Sequence, residues 1–230
     1  MLNCCPLSFL CACAWRRIAV LILWGGLAAG LGSAAEAQHL RVGAGAGWAF
    51  YTNNVTLETT TPNRPERLQL DVDLKAGPQV YASAGFVRSI GDNFELGGRL
   101  RGHVSRIRSD AGCGELECRN PEGALRIGTL EGRIILTSVE WIEPYLLVGL
   151  GVAHTSLDGV TVRDGTGQEL SFPEISIVDA GGDVGIGASL PLVGGLAVDA
   201  EIRAAGSLPG GKDNTVTAAP FTLGVSYEFD

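Results

Sequence analysis

The stretch Leu196-Ala-Val-Asp-Ala-Glu-Ile-Arg-Ala-Ala-Gly-Ser207 alternates with a period of two. Leu196, Val198, Ala200, Ile202 and Ala204 fall on one face, and Asp199, Glu201, Arg203 and Ser207 on the other. A β-strand sends successive side chains to opposite faces, whereas a helix would group the apolar ones every three to four residues. The stretch is therefore a strand with one continuous aliphatic face and one charged face.

The same alternation recurs along the chain. Leu40, Val42, Ala44, Ala46, Trp48 and Phe50 oppose Arg41, Gly43, Gly45, Gly47 and Tyr51. Leu70, Val72, Leu74, Ala76, Val80, Ala82, Ala84 and Phe86 read as one face of a second strand, opposed by Asp71, Asp73, Lys75, Gln79, Tyr81 and Ser83. Phe94, Leu96, Leu100 and Val104 oppose Glu95, Arg99, Arg101 and His103, and Leu130, Ile134 and Leu136 oppose Thr129, Glu131 and Arg133. Leu146, Val148, Leu150 and Val152 then face away from Tyr145, Gly149 and Gly151, and Val178, Ala180, Val184, Ile186, Ala188 and Leu190 away from Asp179, Asp183 and Ser189. The last segment sets Phe221, Leu223, Val225, Tyr227 and Phe229 against Thr222, Gly224, Ser226 and Glu228. With 196–207 this makes eight strands, an even number such as closed antiparallel membrane barrels use.

The connections, at 52–67, 90–93, 109–123, 138–143, 158–174, 191–195 and 208–216, alternate long and short. Successive connections of an antiparallel chain lie at opposite rims, so the long loops share one end and the tight turns the other. Gly91-Asp92-Asn93 and Val193-Gly194-Gly195 carry the glycine and Asx residues that tight hairpins need.

Composition narrows the class. The chain has 230 residues, 46% apolar and 18% charged, so it is no disordered tail. Its 33 glycines have no period of three, which excludes collagen. The net charge of −8 and the lack of a basic block speak against nucleic acid as a partner. Arg16 and Arg17, then the apolar run Ile18 to Leu31, then Ala35-Glu36-Ala37 describe a secretory signal cut after Ala37, with an uncleaved anchor as the alternative. The run is short for a transmembrane helix, which needs about 20 residues. Removal of 1–37 leaves a domain of 193 residues, 38–230, with 15 basic and 24 acidic side chains and a net charge of −9.

Four of the six cysteines leave with the leader, and Cys113 and Cys118 remain. In an exported protein a lone close pair reads as a disulfide, the alternative being two reduced thiols. Zinc would need two further ligands, and no His or Cys is near. Gly43-Ala-Gly-Ala-Gly47 lacks the helix and Lys of a phosphate loop. No cofactor or metal is expected.

A soluble barrel would bury the aliphatic faces and show the polar ones to water. Here the polar faces are rich in Gly, Ser, Thr and Asp, the residues that fit a narrow interior. The aliphatic faces carry Trp48, Phe50, Phe86, Phe94, Tyr227 and Phe229 near strand ends, as in the aromatic girdles at lipid interfaces. The expected fold is all-β: an eight-stranded antiparallel up-and-down transmembrane β-barrel, termini in the periplasm, four long loops outside. A soluble exported barrel is the alternative.

The segment Thr222-Leu-Gly-Val-Ser-Tyr-Glu-Phe229 resembles the β-signal of bacterial outer-membrane proteins, with Thr222, Gly224, Tyr227 and Phe229 at its marked positions. It departs from that pattern in ending on Asp230 rather than on the aromatic. The chain from residue 38 is similar to the small eight-stranded outer-membrane barrels, the outer membrane protein A barrel and opacity-type surface proteins among them. That resemblance implies an outer-membrane location, recognition of the last strand by the barrel assembly machinery, and an extracellular partner, if any, met through the loops.

Parity places Glu95, Arg99, Arg101, Glu131, Arg133, Asp183, Asp199, Glu201 and Arg203 in the lumen. Such charges must be paired or wetted. They form either a permanent plug or an ion-pair network whose re-pairing gates a narrow pore. Two other functions compete with these. A carrier of small hydrophobic solutes would need an apolar interior pocket, which the polar luminal face discourages. A lipid A ester hydrolase at the lipid face would use His154-Thr155-Ser156, which has the H-x-S spacing of the deacylase barrels but continues with Leu157 where that family has Asn. The expectation is a structural or surface barrel and no enzyme.

Overall fold

The computed structural model describes residues 39–61, 64–111, 113, 117–137, 141–163, 169–208 and 215–229. In chain order the strands are β1 (His39–Tyr51), β2 (Val55–Thr61), β3 (Arg64–Lys75), β4 (Gly77–Ser89), β5 (Phe94–Ala111), β6 (Glu117–Cys118), β7 (Gly123–Leu136), β8 (Glu143–Leu157), β9 (Val160–Arg163), β10 (Glu169–Phe172), β11 (Ile175–Pro191), β12 (Leu196–Ser207) and β13 (Thr217–Phe229). The signal segment expected at 1–37 lies outside the described residues.

Eight strands close a ring in which every neighbour is antiparallel: β1, β4, β5, β7, β8, β11, β12 and β13, with β13 pairing back onto β1. Closure gives every strand of the ring a hydrogen-bonding neighbour on both sides, so neither edge is left with unpaired N–H and C=O groups, the condition for crossing a bilayer with strands. The outer face keeps Val80, Leu100, Leu130, Val148, Leu150, Val184, Ile186, Ile202 and Leu223 exposed. A belt of aliphatics around the whole ring has no solvent but lipid.

At one end sit the tight turns. Ile90 N donates to Phe94 O at 2.8 Å and Leu192 N to Leu196 O at 2.7 Å, and Gly91, Gly194 and Gly195 take φ of 76°, 69° and 78°, the left-handed region that glycine enters without strain. At the other end the chain does more than loop. Where the sequence reading left loops at 52–67, 109–123 and 158–174, β2 pairs with β3, and β6, β9 and β10 make a small separate sheet. β6, β9 and β10 are only two to four residues long, and the alternations at Val55–Leu57 and Val160–Val162 are correspondingly brief. Cys118, the last residue of β6, forms a disulfide with Cys113.

The segment 70–86 corrects the sequence reading, which gave it a single apolar face. Lys75 pairs with Arg108 and Gln79 with Ser105, so three residues, Ala76, Gly77 and Pro78, oppose two, Arg106 and Ile107. This is a β-bulge, and a one-residue insertion flips every side chain beyond it to the other face. Val72 and Leu74 point inward, while Val80, of the same parity but past the bulge, points to lipid. Gly77 permits the bulge: a Cβ there would stand 1.8 Å from Arg106 O. Pro78, without an N–H, suits a position where the ladder is broken. Gly77-Pro78 was the signal in the sequence.

The interior consequently has layers. Toward the long-loop end it is an apolar core that includes Ala49, Val55, Leu57, Val72, Leu74, Ile107, Leu125, Ile127, Leu157, Val160, Val162 and Phe172. Mid-barrel it is ionic. Toward the turns a small cluster of Val87, Ile135, Tyr145 and Leu147 follows. On the outer face the change is the reverse: past Val104, β5 shows Arg106, Arg108 and Asp110 to solvent.

Candidate functional site

Odd-numbered residues of β5, β7, β11 and β12 face the lumen, and the barrel diameter brings strands from opposite walls within side-chain reach. Arg99 Nε donates to Glu131 Oε2 at 2.5 Å and its Nη2 to Glu201 Oε1 at 2.7 Å. Arg101 Nη1 donates to Glu201 Oε2 at 2.6 Å. Arg203 Nη1 donates to Glu131 Oε1 at 2.7 Å and Asp183 Oδ2 at 2.8 Å, and its Nη2 to Glu201 Oε2 at 2.8 Å. Glu131 and Arg203 have no exposed side-chain surface, and Glu201 has 1%. Three guanidiniums and three carboxylates thus interlock across the barrel axis.

Two tyrosines frame the cluster. Tyr145 Oη donates to Glu201 Oε1 at 2.7 Å, and its ring lies 3.9 Å from the Arg133 guanidinium carbon. The Tyr81 ring lies 3.5 Å from that of Arg101, a cation–π stack. The rings fit because nearby strands have no side chains there: Gly187 on β11 lies beside Tyr145, and Gly224 on β13 lies two strands from Tyr81. A Cβ on Gly224 would come within 2.0 Å of Tyr81 Oη, and one on Gly187 within 2.4 Å of the Tyr145 ring. Thr129 Oγ1 adds hydrogen bonds to Glu131 (3.1 Å) and Asp183 (3.3 Å).

The remaining sequence candidates lie nearer the turns. Asp199 Oδ1 stands 3.9 Å from Arg41 Nη2, and Arg41 also donates to Ser189 Oγ at 2.6 Å and Ser226 Oγ at 3.1 Å. Arg133 makes no ion pair among the described residues. Glu95 stands apart from the cluster at the rim, where Ser89 Oγ donates to it at 3.3 Å. The sequence reading put Arg41, Tyr81 and Tyr145 on the polar faces without joining them to the charges. The parity was visible, but proximity across the barrel was not. His103 is buried on the same face, and its Nδ1 has no hydrogen-bond partner among the described residues.

The other motif is on the outside. His154 Nδ1 accepts from Arg126 Nη1 at 3.2 Å, which leaves Nε2 to donate to Ser176 Oγ at 3.2 Å. Ser156 Oγ donates to Ala124 O at 3.3 Å. Serine and histidine are each engaged elsewhere, and no carboxylate orients the ring among their hydrogen-bond partners, so two members of a triad are present without the third and without its geometry. Outside the belt, Arg106 also donates to Glu122, and this bond and charge hold the Glu122 carboxyl below the usual glutamate range.

In the last strand Thr222 is buried inward, while Tyr227 and Phe229 point out and meet edge to face at 4.7 Å between centroids. The sequence that forms this closed ring matches a known family: residues 19–229 fit the outer membrane protein beta-barrel domain. The chain belongs to that family. Membership of this outer-membrane barrel family places the chain in the bacterial outer membrane.

Solved structures similar to this family member share little sequence. Neisserial surface protein A is 16% identical, with 86% of this chain and 100% of that one covered and a TM-score of 0.47. OprG from Pseudomonas aeruginosa is 11% identical, covering 84% and 97%, with a TM-score of 0.47. A major outer membrane protein from Thermus thermophilus is 18% identical, covering 84% and 100%, with a TM-score of 0.46. A comparison with curated protein sequences finds no match.

Proposed function

We propose that this protein is a structural, surface-presenting outer-membrane barrel whose lumen is closed. The observation that carries the reading is the interlocked cluster of Arg99, Arg101, Glu131, Asp183, Glu201 and Arg203, whose central members have almost no solvent-exposed surface. A conducting path would have to break several charge-assisted bonds at once and leave bare charges in a medium of low dielectric. It would also have to part the apolar core above them. The extracellular end then serves as the working surface: β2, β3, β6, β9 and β10 with the Cys113–Cys118 staple form a rigid head on a sealed stalk.

A carrier of small hydrophobic solutes finds less support. The outer part of the interior is apolar, contrary to the expectation from sequence, but its cavity lined by Val55, Leu74, Ile107, Leu157, Ile175 and Val216 measures about 10 Å³, the space of one water at most. The last strand, with Gly224, Tyr227 and Phe229, supports recognition by the barrel assembly machinery.

Protein purified from outer membranes and inserted in a planar bilayer tests the reading. A folded protein, shown by its heat-modifiable migration, should give no current steps. Discrete steps that change in Glu131→Ala would make the cluster a gate and overturn the closed-barrel reading.

A further inference from the structure

The charged side chains buried among the described residues are five guanidiniums, Arg41, Arg99, Arg101, Arg133 and Arg203, and four carboxylates, Glu131, Asp183, Asp199 and Glu201. Glu143, partly buried at the rim, makes a fifth carboxylate, yet one guanidinium is still left without a carboxylate partner among the described residues. Arg99, Arg101 and Arg203 each bond to a carboxylate, and Arg41 has Asp199 at 3.9 Å and Glu143, at the rim, at 3.7 Å. Arg133 alone of the five has no carboxylate within 4.0 Å among the described residues. It is 5% exposed, one side of its guanidinium is stacked on Tyr145, and its Nε and Nη2 make no hydrogen bond. Buried N–H groups of a fixed cation do not stay without acceptors, and a counter-charge answers both needs.

The space for one is present. Arg133 lines a cavity of about 20 Å³ at the turn end of the lumen, together with Arg41, Ser83, Arg99, Asp199 and Ser226. That volume takes a single water-sized occupant and is too small for a phosphate or a carboxylate ligand. We propose that this cavity binds one small monovalent anion of halide size, held by the unpaired N–H groups of Arg133. Asp199 opposes it from the same cavity, with its own Oδ1 free of hydrogen bonds, so the site is of modest affinity rather than a trap. A water bridging Arg133 and Asp199 is the competing occupant, and it would satisfy the N–H groups without balancing the charge.

The test does not depend on whether the barrel conducts. Protein purified from outer membranes is unfolded by urea at constant ionic strength in sodium gluconate, chloride or bromide. An anion bound only by the folded state raises the midpoint as its concentration rises. The wild-type midpoint should rise from gluconate to chloride and bromide, the rise should vanish in Arg133→Met, and it should grow in Asp199→Asn. A midpoint indifferent to halide overturns the proposal, as does an equal rise in Arg133→Met, which would put the ion elsewhere. Should Arg133→Met fail to fold, anomalous diffraction from wild-type crystals grown in bromide decides. A peak within hydrogen-bond distance of Arg133 Nε or Nη2 supports the site, and water alone there refutes it.

Discussion

Glu201 is the side chain on which the luminal cluster converges, and Glu201→Gln removes its charge while keeping its shape. Its two oxygens accept from Arg99 at 2.7 Å, Arg101 at 2.6 Å, Arg203 at 2.8 and 3.0 Å, and Tyr145 at 2.7 Å. The loss is not three ion pairs deep. Arg99 keeps Glu131 at 2.5 Å, and Arg203 keeps Glu131 and Asp183. Arg101 has no other carboxylate among the described residues and retains only the Tyr81 ring at 3.5 Å. One orphaned buried charge costs about 3–5 kcal/mol, and the cation–π stack offsets part of it, so the lower end, about 3 kcal/mol, is expected. The assay is urea unfolding in phospholipid vesicles, read by the compact gel band and by fluorescence of Trp48 and Trp141. Arg101→Met in the same chain removes the orphan, so the double variant should recover about 1–3 kcal/mol relative to the sum of the single ones. A loss below about 1 kcal/mol for Glu201→Gln, or strict additivity, would refute the pairing on which the closed lumen rests.

Gly187→Ala drives a Cβ into the Tyr145 ring and should cost about 1–3 kcal/mol, whereas Gly102→Ala, with nothing within 4 Å of its Cβ, should cost far less in the same unfolding assay. Equal losses would contradict the packing. Arg106→Gln should raise the Glu122 titration midpoint, followed by carboxyl carbon NMR, toward the ordinary range at about pH 4.3, with Arg108 and Arg119 still holding it slightly down. The sign follows from the depressed value: the Arg106–Glu122 attraction is complete above the ordinary glutamate range and fades as pH falls through the lowered one. Phe229→Ala should lower the amount of protein reaching the outer membrane while leaving its refolding in detergent unchanged, and unchanged membrane levels would exclude a role for that aromatic in assembly.

The alternation in Leu196–Ser207 and its seven companions determined the strands, because side-chain period is a local property of the backbone. The alternation of long and short connections determined that the strands are antiparallel with two unlike ends, and the polar parity put Arg99, Glu131, Glu201 and Arg203 on one surface. Two local signals were present and unread: Gly77-Pro78, which marks the bulge, and the short alternations at Val55–Leu57 and Val160–Val162, which turn loops into strands. The partnerships in the lumen were of another kind. Arg203 meets Glu131 across 72 residues and Arg99 meets Glu201 across 102. Which guanidinium is answered, and that Arg133 is not, depends on strand order, stagger and the diameter of the closed ring. Those quantities are set by all eight strands together, and no stretch of the chain carries them by itself.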